Sequence, residues 1–177
     1  SMILVTGASG FVGRNVIKAL RTRGKEVRCF MRSPSREKVV TDYHVEMAYG
    51  DILNLSALKE AMRGVDTVVH LVAIIREKGN ASFDLINRRG TEIVIQAAKE
   101  EGVRHFVHMS VIGAQDNTAY PYLYSKWQGE QAVINSGLTY TIFRPSIQFG
   151  PGDEFINTLA GVVRAFPLIP VVGSGNV

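Results

Sequence analysis

An α/β fold, a doubly wound parallel sheet with helices on both faces, is what this sequence predicts. Three observations carry the prediction. Short apolar stretches rich in Val, Ile, Phe and Tyr alternate with stretches whose apolar residues recur at three- and four-residue spacing. Glycines close several of the helical stretches: Gly24, Gly64, Gly102 and Gly137. The first strand runs straight into a glycine turn, Val5-Thr-Gly-Ala-Ser-Gly-Phe-Val-Gly13.

The strands are expected at Met2–Thr6, Glu26–Met31, His44–Tyr49, Thr67–Leu71, His105–Met109 and Thr139–Phe143. Between them, Val12, Val16, Ala19 and Leu20 make one helical stripe. Leu55, Leu58 and Met62 make a second, and Ile93, Ile95, Ala97 and Ala98 belong to a third. Repeated strand–helix–strand units imply parallel strands covered on both faces. Right-handed crossovers then make double winding the economical topology. The closing stretch Phe166–Val177 reads as loop and unfinished strand, which predicts a fragment of a longer chain.

Composition narrows the function classes. The 177 residues are 46% apolar and 20% charged, with a net charge of +4, ordinary for one globular domain with a real core. The basic residues are scattered. The densest groups, Arg21-Thr-Arg23 and Arg88-Arg89, have no interleaved aromatics and read as solvated helix surface, so nucleic acid is not an expected partner. The single cysteine, Cys29, forbids an internal disulfide and suits a reducing, cytoplasmic setting. Its place beside Val27 and Met31 predicts core packing. No apolar run approaches the ~20 residues of a membrane span, and the apolar start is too short for a signal peptide.

The glycine turn carries the chemistry. Strand, glycines and helix follow one another as a dinucleotide pyrophosphate requires. Gly7 can take a backbone conformation closed to other residues, Gly10 lets the backbone approach the pyrophosphate, and Gly13 lets the helix pack closely. The helix N-terminus offers free N–H groups to the anion, and Ser9, Phe11 and Val12 complete the contact stretch. A tight turn without ligand is the competing reading. This is the expected nucleotide turn of a Rossmann fold.

NAD-preferring folds of this kind place an acid at the end of the second strand. Here Val27-Arg-Cys-Phe-Met-Arg-Ser-Pro-Ser-Arg36 has none. Arg32 stands there, with Ser33 beside it and Arg36 close behind. A guanidinium fork suits a 2′-phosphate, so NADP is favoured over NAD, with Arg14 as a helper. An ordinary loop arginine is the alternative.

The stretch Thr6-Gly-Ala-Ser-Gly-Phe-Val-Gly13 resembles the extended and atypical short-chain dehydrogenase/reductase families, and the resemblance continues along the chain. Gly50-Asp51-Ile52 resembles the adenine-edge contact, with Asp51 accepting from the exocyclic amine. Leu71, Val72 and Ala73 resemble the backbone lining the adenine ribose. His70 among them reads as a packed strand residue. Asn87 resembles a helix asparagine that holds backbone near the active site. Arg144-Pro145-Ser146, followed by Phe149-Gly-Pro-Gly-Asp153, resembles the loop beside the nicotinamide. His108-Met-Ser-Val-Ile-Gly-Ala114 and Ser125-Lys-Trp-Gln-Gly-Glu130 are similar to stretches of NmrA-like proteins. They are also similar to relatives of the NADPH-binding accessory subunit of respiratory complex I.

Tyr122 and Lys126 form a Y-x-x-x-K pair, one helical turn apart on one face. A neighbouring ammonium favours tyrosinate, which predicts a lowered Tyr122 pKa and proton exchange near neutrality. The resemblance gives Lys126 the nicotinamide ribose as well. Surface helix residues are the competing reading. One departure matters: the catalytic Ser/Thr of the family follows a first serine, and here Ser110 is followed by Val111. Either Ser110 substitutes, or the relay is incomplete.

The resemblance therefore implies hydride transfer at a carbonyl or alcohol carbon with a Tyr–Lys pair, on an unidentified small-molecule substrate. Ser110-Val-Ile-Gly113 lacks the extra acids of the dehydratase branch. The alternative is an NADP(H)-binding regulatory or assembly protein with little catalysis. The resemblance further implies that a C-terminal substrate domain is absent or truncated. It also allows a homodimer through the Y-x-x-x-K helices, or an assembly partner.

Overall fold

In a computed structural model, residues 1–146 and 152–165 are described. They form a six-stranded, all-parallel sheet in the order β3-β2-β1-β4-β5-β6. The strands are β1 (Met2–Thr6), β2 (Glu26–Met31), β3 (Glu46–Tyr49), β4 (Val65–His70), β5 (His105–Met109) and β6 (Thr139–Phe143). The helices are α1 (Phe11–Thr22), α2 (Leu55–Ala61), α3 (Thr91–Glu100), α4 (Pro121–Ile134) and α5 (Asp153–Ala165). A π-helical stretch, Asp84–Gly90, runs directly into α3. This is the doubly wound Rossmann arrangement.

Two apolar cores follow from the period-two alternation of the strands. On one face Ile3, Val5, Cys29 and Val69 pack against α1 and α5 through Val16, Leu20, Phe155 and Leu159. On the other, Leu4, Phe30, Val68 and Phe106 meet α2, α3 and α4 through Leu58, Val94 and Val133. Cys29 is buried, and burial pushes its thiol up to about 12, so it packs as an apolar group. The winding reverses between β1 and β4. A crevice opens there at the carboxyl ends of the strands, where ligands of such sheets bind.

β1, β2, β5 and β6 have the expected bounds, and the other two strands shift for visible reasons. β3 begins two residues late because His44 sits in the left-handed region, at φ 57°, and ends a 3-10 turn. β4 begins at Val65, since Gly64 at φ 73° has already closed the preceding turn. Arg21 and Arg88 are more than solvated surface. Arg21 donates to the carbonyls of Tyr43 and Lys25, and Arg88 pairs with Asp84 and Glu92. Phe166–Val177, and residues 149–151 of the Phe149–Asp153 motif, lie outside the described residues.

Candidate functional site

The glycine turn is built for close approach. Gly7 has φ +72°, and a Cβ there would stand 3.1 Å from the backbone of Leu71 and Val72. A Cβ on Gly13 would lie 2.0 Å from the Gly7 carbonyl oxygen, so α1 starts where it does only because Gly13 is bare. Gly10 differs. A Cβ there would meet only the Gly7 oxygen, at 3.5 Å, so its open side faces the crevice. Gly10 caps α1 with no side-chain bond, and no acid lies in the first turn. The first N–H groups of α1, including those of Phe11 and Val12, have no intrahelical acceptor and favour an anion. Arg14 stacks over the exposed Phe11 ring at 5.3 Å, which occupies the predicted phosphate helper locally.

A cavity of about 480 Å³ extends from this turn along the ends of β2, β3 and β4. It brings together most of the predicted cofactor residues: Gly7, Ser9, Gly10, Arg32, Ser33, Asp51, Ile52, Leu71, Val72 and Ala73. Phe30, Arg36, Ile74 and Ile86 also line it. Of these, Ile74 and Ile86 carried no sequence signal beyond hydrophobicity. The Arg32 side chain is 86% exposed and meets Asp51 Oδ2 only at 3.9 Å. Asp51 Oδ1 accepts from the Leu53 N–H at 2.9 Å, so its carboxylate is oriented while lone pairs remain. Arg32, Ser33 and Arg36 thus line the same cavity as the glycine turn that leads into the bare N-terminus of α1. These features fit a dinucleotide carrying an extra phosphate on its adenosine end.

The Tyr122–Lys126 region is a separate wall, formed by α4 and the ends of β5 and β6. Lys126 is 3% exposed, and its Nζ donates to the Met109 carbonyl at 3.0 Å. Burial draws the ammonium down to about 8, while Glu130 pulls the other way. Tyr122 is half-buried against Phe83, ring centroids 5.6 Å apart. Burial pushes its phenol up. The expected lowering of Tyr122 is therefore not found: desolvation of the phenolate sets the shift, and the Lys126 ammonium is engaged by the Met109 carbonyl.

Asn87, on the π-helical stretch, is 2% exposed and fully engaged. Its Oδ1 accepts from the Ile74 N–H at 2.9 Å; its Nδ2 donates to the Ile74 carbonyl at 3.0 Å and to Ser125 Oγ at 3.1 Å. Ser125 in turn donates to the Tyr122 carbonyl at 2.7 Å. Asn87 thus locks the loop after β4 to the first turn of α4. The Ser110 hydroxyl donates to Glu130 Oε2, and Val111 beside it is buried. The Pro145 carbonyl accepts from the Ile112 N–H at 3.0 Å, and Ser146 follows, half-buried.

Beneath this wall lie two stacked histidines, His70 and His108, ring centroids 5.7 Å apart. His70 Nδ1 bonds Thr6 Oγ1 at 2.7 Å, and that oxygen also accepts from the Leu71 N–H. Burial, with the nearby Lys126 charge, draws His70 down to about 3 and holds His108 well below the usual histidine range, so both are neutral. His70 is a packed strand residue, as expected. No group of histidine, cysteine or acidic side chains among the described residues could hold a metal ion.

The sequence model of the NAD(P)H-binding family matches residues 7–151. The chain is 29% identical over 171 residues to the ceramide reductase of Caulobacter vibrioides, covering 97% of this chain and 54% of that protein. It is 29% identical over 179 residues to the mitochondrial NADH dehydrogenase [ubiquinone] 1 alpha subcomplex subunit 9 of Arabidopsis thaliana, covering 97% and 44%. A short-chain dehydrogenase/reductase superfamily protein from Agrobacterium tumefaciens, solved with bound NAD, superposes at a TM-score of 0.64 with 32% identity, over 81% of this chain and 48% of that one. The chain spans about half the length of the curated relatives it matches. Among the described residues no helix is long and apolar enough to cross a membrane.

Proposed function

The chain belongs to the NAD(P)H-binding family, and from that premise we propose that it binds NADP(H) and serves an oxidoreductase of the short-chain dehydrogenase class. The observation that carries the reading is the one cavity lined both by the glycine turn before the bare N-terminus of α1 and by Arg32, Ser33 and Arg36. The turn holds the pyrophosphate at Gly7, Ser9, Gly10, Phe11, Val12 and Gly13. Asp51 and Ile52 flank the adenine, and Leu71, Val72 and Ala73 line its ribose. Arg32 and Ser33 receive the 2′-phosphate. Bound nicotinamide supplies or accepts a hydride at a carbonyl or alcohol carbon. Tyr122 exchanges the proton at that oxygen, and Lys126 orients the nicotinamide ribose with its buried ammonium. Pro145 and Ser146 close the ring's edge, and Asn87 keeps α4 and the loop after β4 in register.

A second reading is favoured by one observation. The Ser110 hydroxyl is engaged by Glu130, and its neighbour Val111 cannot donate. A protein that retains NADP(H) for regulation or assembly, with little turnover, accommodates that arrangement.

The test is a titration with NADPH and, separately, NADH, followed by nicotinamide fluorescence. The NADPH-loaded protein is then challenged with a panel of ketones, beside Tyr122→Phe. Tight NADPH binding with ketone-dependent oxidation, lost in Tyr122→Phe, supports the enzyme. Tight binding with no oxidation by any ketone supports the second reading. Absence of binding by either nucleotide would sink both.

A further inference from the structure

Glu130 has no role in the reading above, yet it is fully buried, one helical turn beyond Lys126. Its carboxylate gathers three chain segments. Arg144, just past β6, forks onto it through Nε to Oε2 at 3.0 Å and Nη2 to Oε1. Ser110, just past β5, donates its hydroxyl to Oε2. Backbone bonds join the same two segments: Ser110 N–H to the Phe143 carbonyl at 2.6 Å, and Ile112 N–H to the Pro145 carbonyl at 3.0 Å. A buried carboxylate is costly unless every acceptor is used, and this one is held by a planar fork and a hydroxyl. The three segments are those that bear Tyr122 and Lys126, Ser110, and Pro145 with Ser146. Those are the candidate nicotinamide-side groups, whereas the adenine-side slot touches none of Ser110, Glu130 or Arg144.

We propose that Glu130 is a positioning residue that, through Arg144 and Ser110, holds the three walls of the nicotinamide half in register without touching the adenine half. The inference rests on the NADP(H) reading above. It also accounts for Ser110, whose hydroxyl orients Glu130 rather than a substrate carbonyl.

Two ligands separate the halves. NADPH spans both, whereas adenosine 2′,5′-bisphosphate occupies only the adenine half. Glu130→Gln keeps the shape but turns an amide N–H₂ toward the Arg144 donors. It is expected to weaken NADPH about tenfold or more while leaving adenosine 2′,5′-bisphosphate within about twofold. Equal weakening of both ligands, or unchanged NADPH affinity, overturns the proposal. Glu130→Gln with Arg144→Met leaves no buried charge unpaired, so it guards against simple misfolding. The double variant is expected to regain thermal stability but not NADPH affinity. Recovery of both would mean that Glu130 matters only as a partner for the arginine, which also overturns the proposal. A wild-type protein that binds neither ligand takes down the functional reading, and this inference with it. Binding of both by the wild type, with the wrong pattern in the variants, takes down this inference alone.

Discussion

The Lys126 ammonium donates to the Met109 carbonyl at 3.0 Å, tying the middle of α4 to the last residue of β5. A lysine at 3% exposure is held there against its own solvation. The folded state binds its proton less tightly than the unfolded chain, with a pKa of about 8 against an ordinary 10.5. Below about pH 8 both states carry the charge and the burial cost is present in full. As pH rises from about 8 to 10.5 the unfolded state holds more protons, and the cost fades.

Lys126→Met is therefore expected to stabilise the cofactor-free protein at pH 7, by on the order of 1–3 kcal/mol after loss of one hydrogen bond. Urea denaturation at pH 7 and pH 10 checks this. The advantage should shrink at the higher pH. An advantage that grew there would contradict the assigned cause. NADPH binding should weaken in the same variant, as stability gained at a site residue commonly costs function.

The neutral histidines act at the other end of the pH scale. Burial draws His70 to about 3 and His105 to about 4, and holds His108 well below the ordinary 6.5 of the unfolded chain. Their stability contribution is present above pH 6.5 and drains away as pH falls below it, by about 1.4 kcal/mol per pH unit for each histidine. Among the described residues neither ring nitrogen of His108 has a hydrogen-bond partner, so His108→Leu leaves no such partner orphaned. That variant should show a shallower fall in urea midpoint between pH 6.5 and 4.5, by about one proton's worth. An unchanged slope would remove His108 from the account.

Two glycines of one turn should respond unequally to the same added methyl group. Gly13→Ala drives a Cβ to 2.0 Å from the Gly7 oxygen, and a loss of about 3 kcal/mol in stability is expected. Gly10→Ala has room on the protein side, so its stability cost should be about 1 kcal/mol or less. NADPH affinity should still fall about tenfold or more, because the methyl group occupies the phosphate approach. Thermal melting with and without NADPH separates the two effects.

Arg32 is 86% exposed and only loosely paired with Asp51, so its removal should not disturb the fold. Arg32→Ala is expected to weaken NADPH about tenfold or more, and NADH within about twofold. Parallel fluorescence titrations measure both constants. Equal losses would show that Arg32 does not read the 2′-phosphate.

The fold was legible because its signals are local. Strand alternation and the helix-closing glycines depend on neighbouring residues, and Gly24, Gly64, Gly102 and Gly137 all have positive φ. The gathering of several candidate residues around one cavity was legible for the same reason. Gly7, Gly10, Arg32, Asp51 and Leu71 lie at strand ends, which the topology places side by side. The Tyr122 shift was not legible, because desolvation depends on what covers a side chain in three dimensions, here Phe83. Glu130 left only a faint trace, four residues beyond Lys126. Its partners Ser110 and Arg144 are 20 and 14 residues away in sequence and meet it only after β5, β6 and α4 have packed.

The strand order has a further consequence, for the chain as it is being made. Of the six described strands β1 is synthesised first, and it lies in the middle of the sheet, with β2 on one side and β4 on the other. The strands β3, β2, β1 and β4, and every residue lining the cavity at their ends, are encoded before residue 90. A nascent chain thus carries every residue that lines this cavity well before the ribosome reaches Tyr122 and Lys126. Since domains fold from the N-terminus during synthesis, a ligand captured early in that cavity would steady a half-built sheet, and its supply would bear on the yield of folded protein.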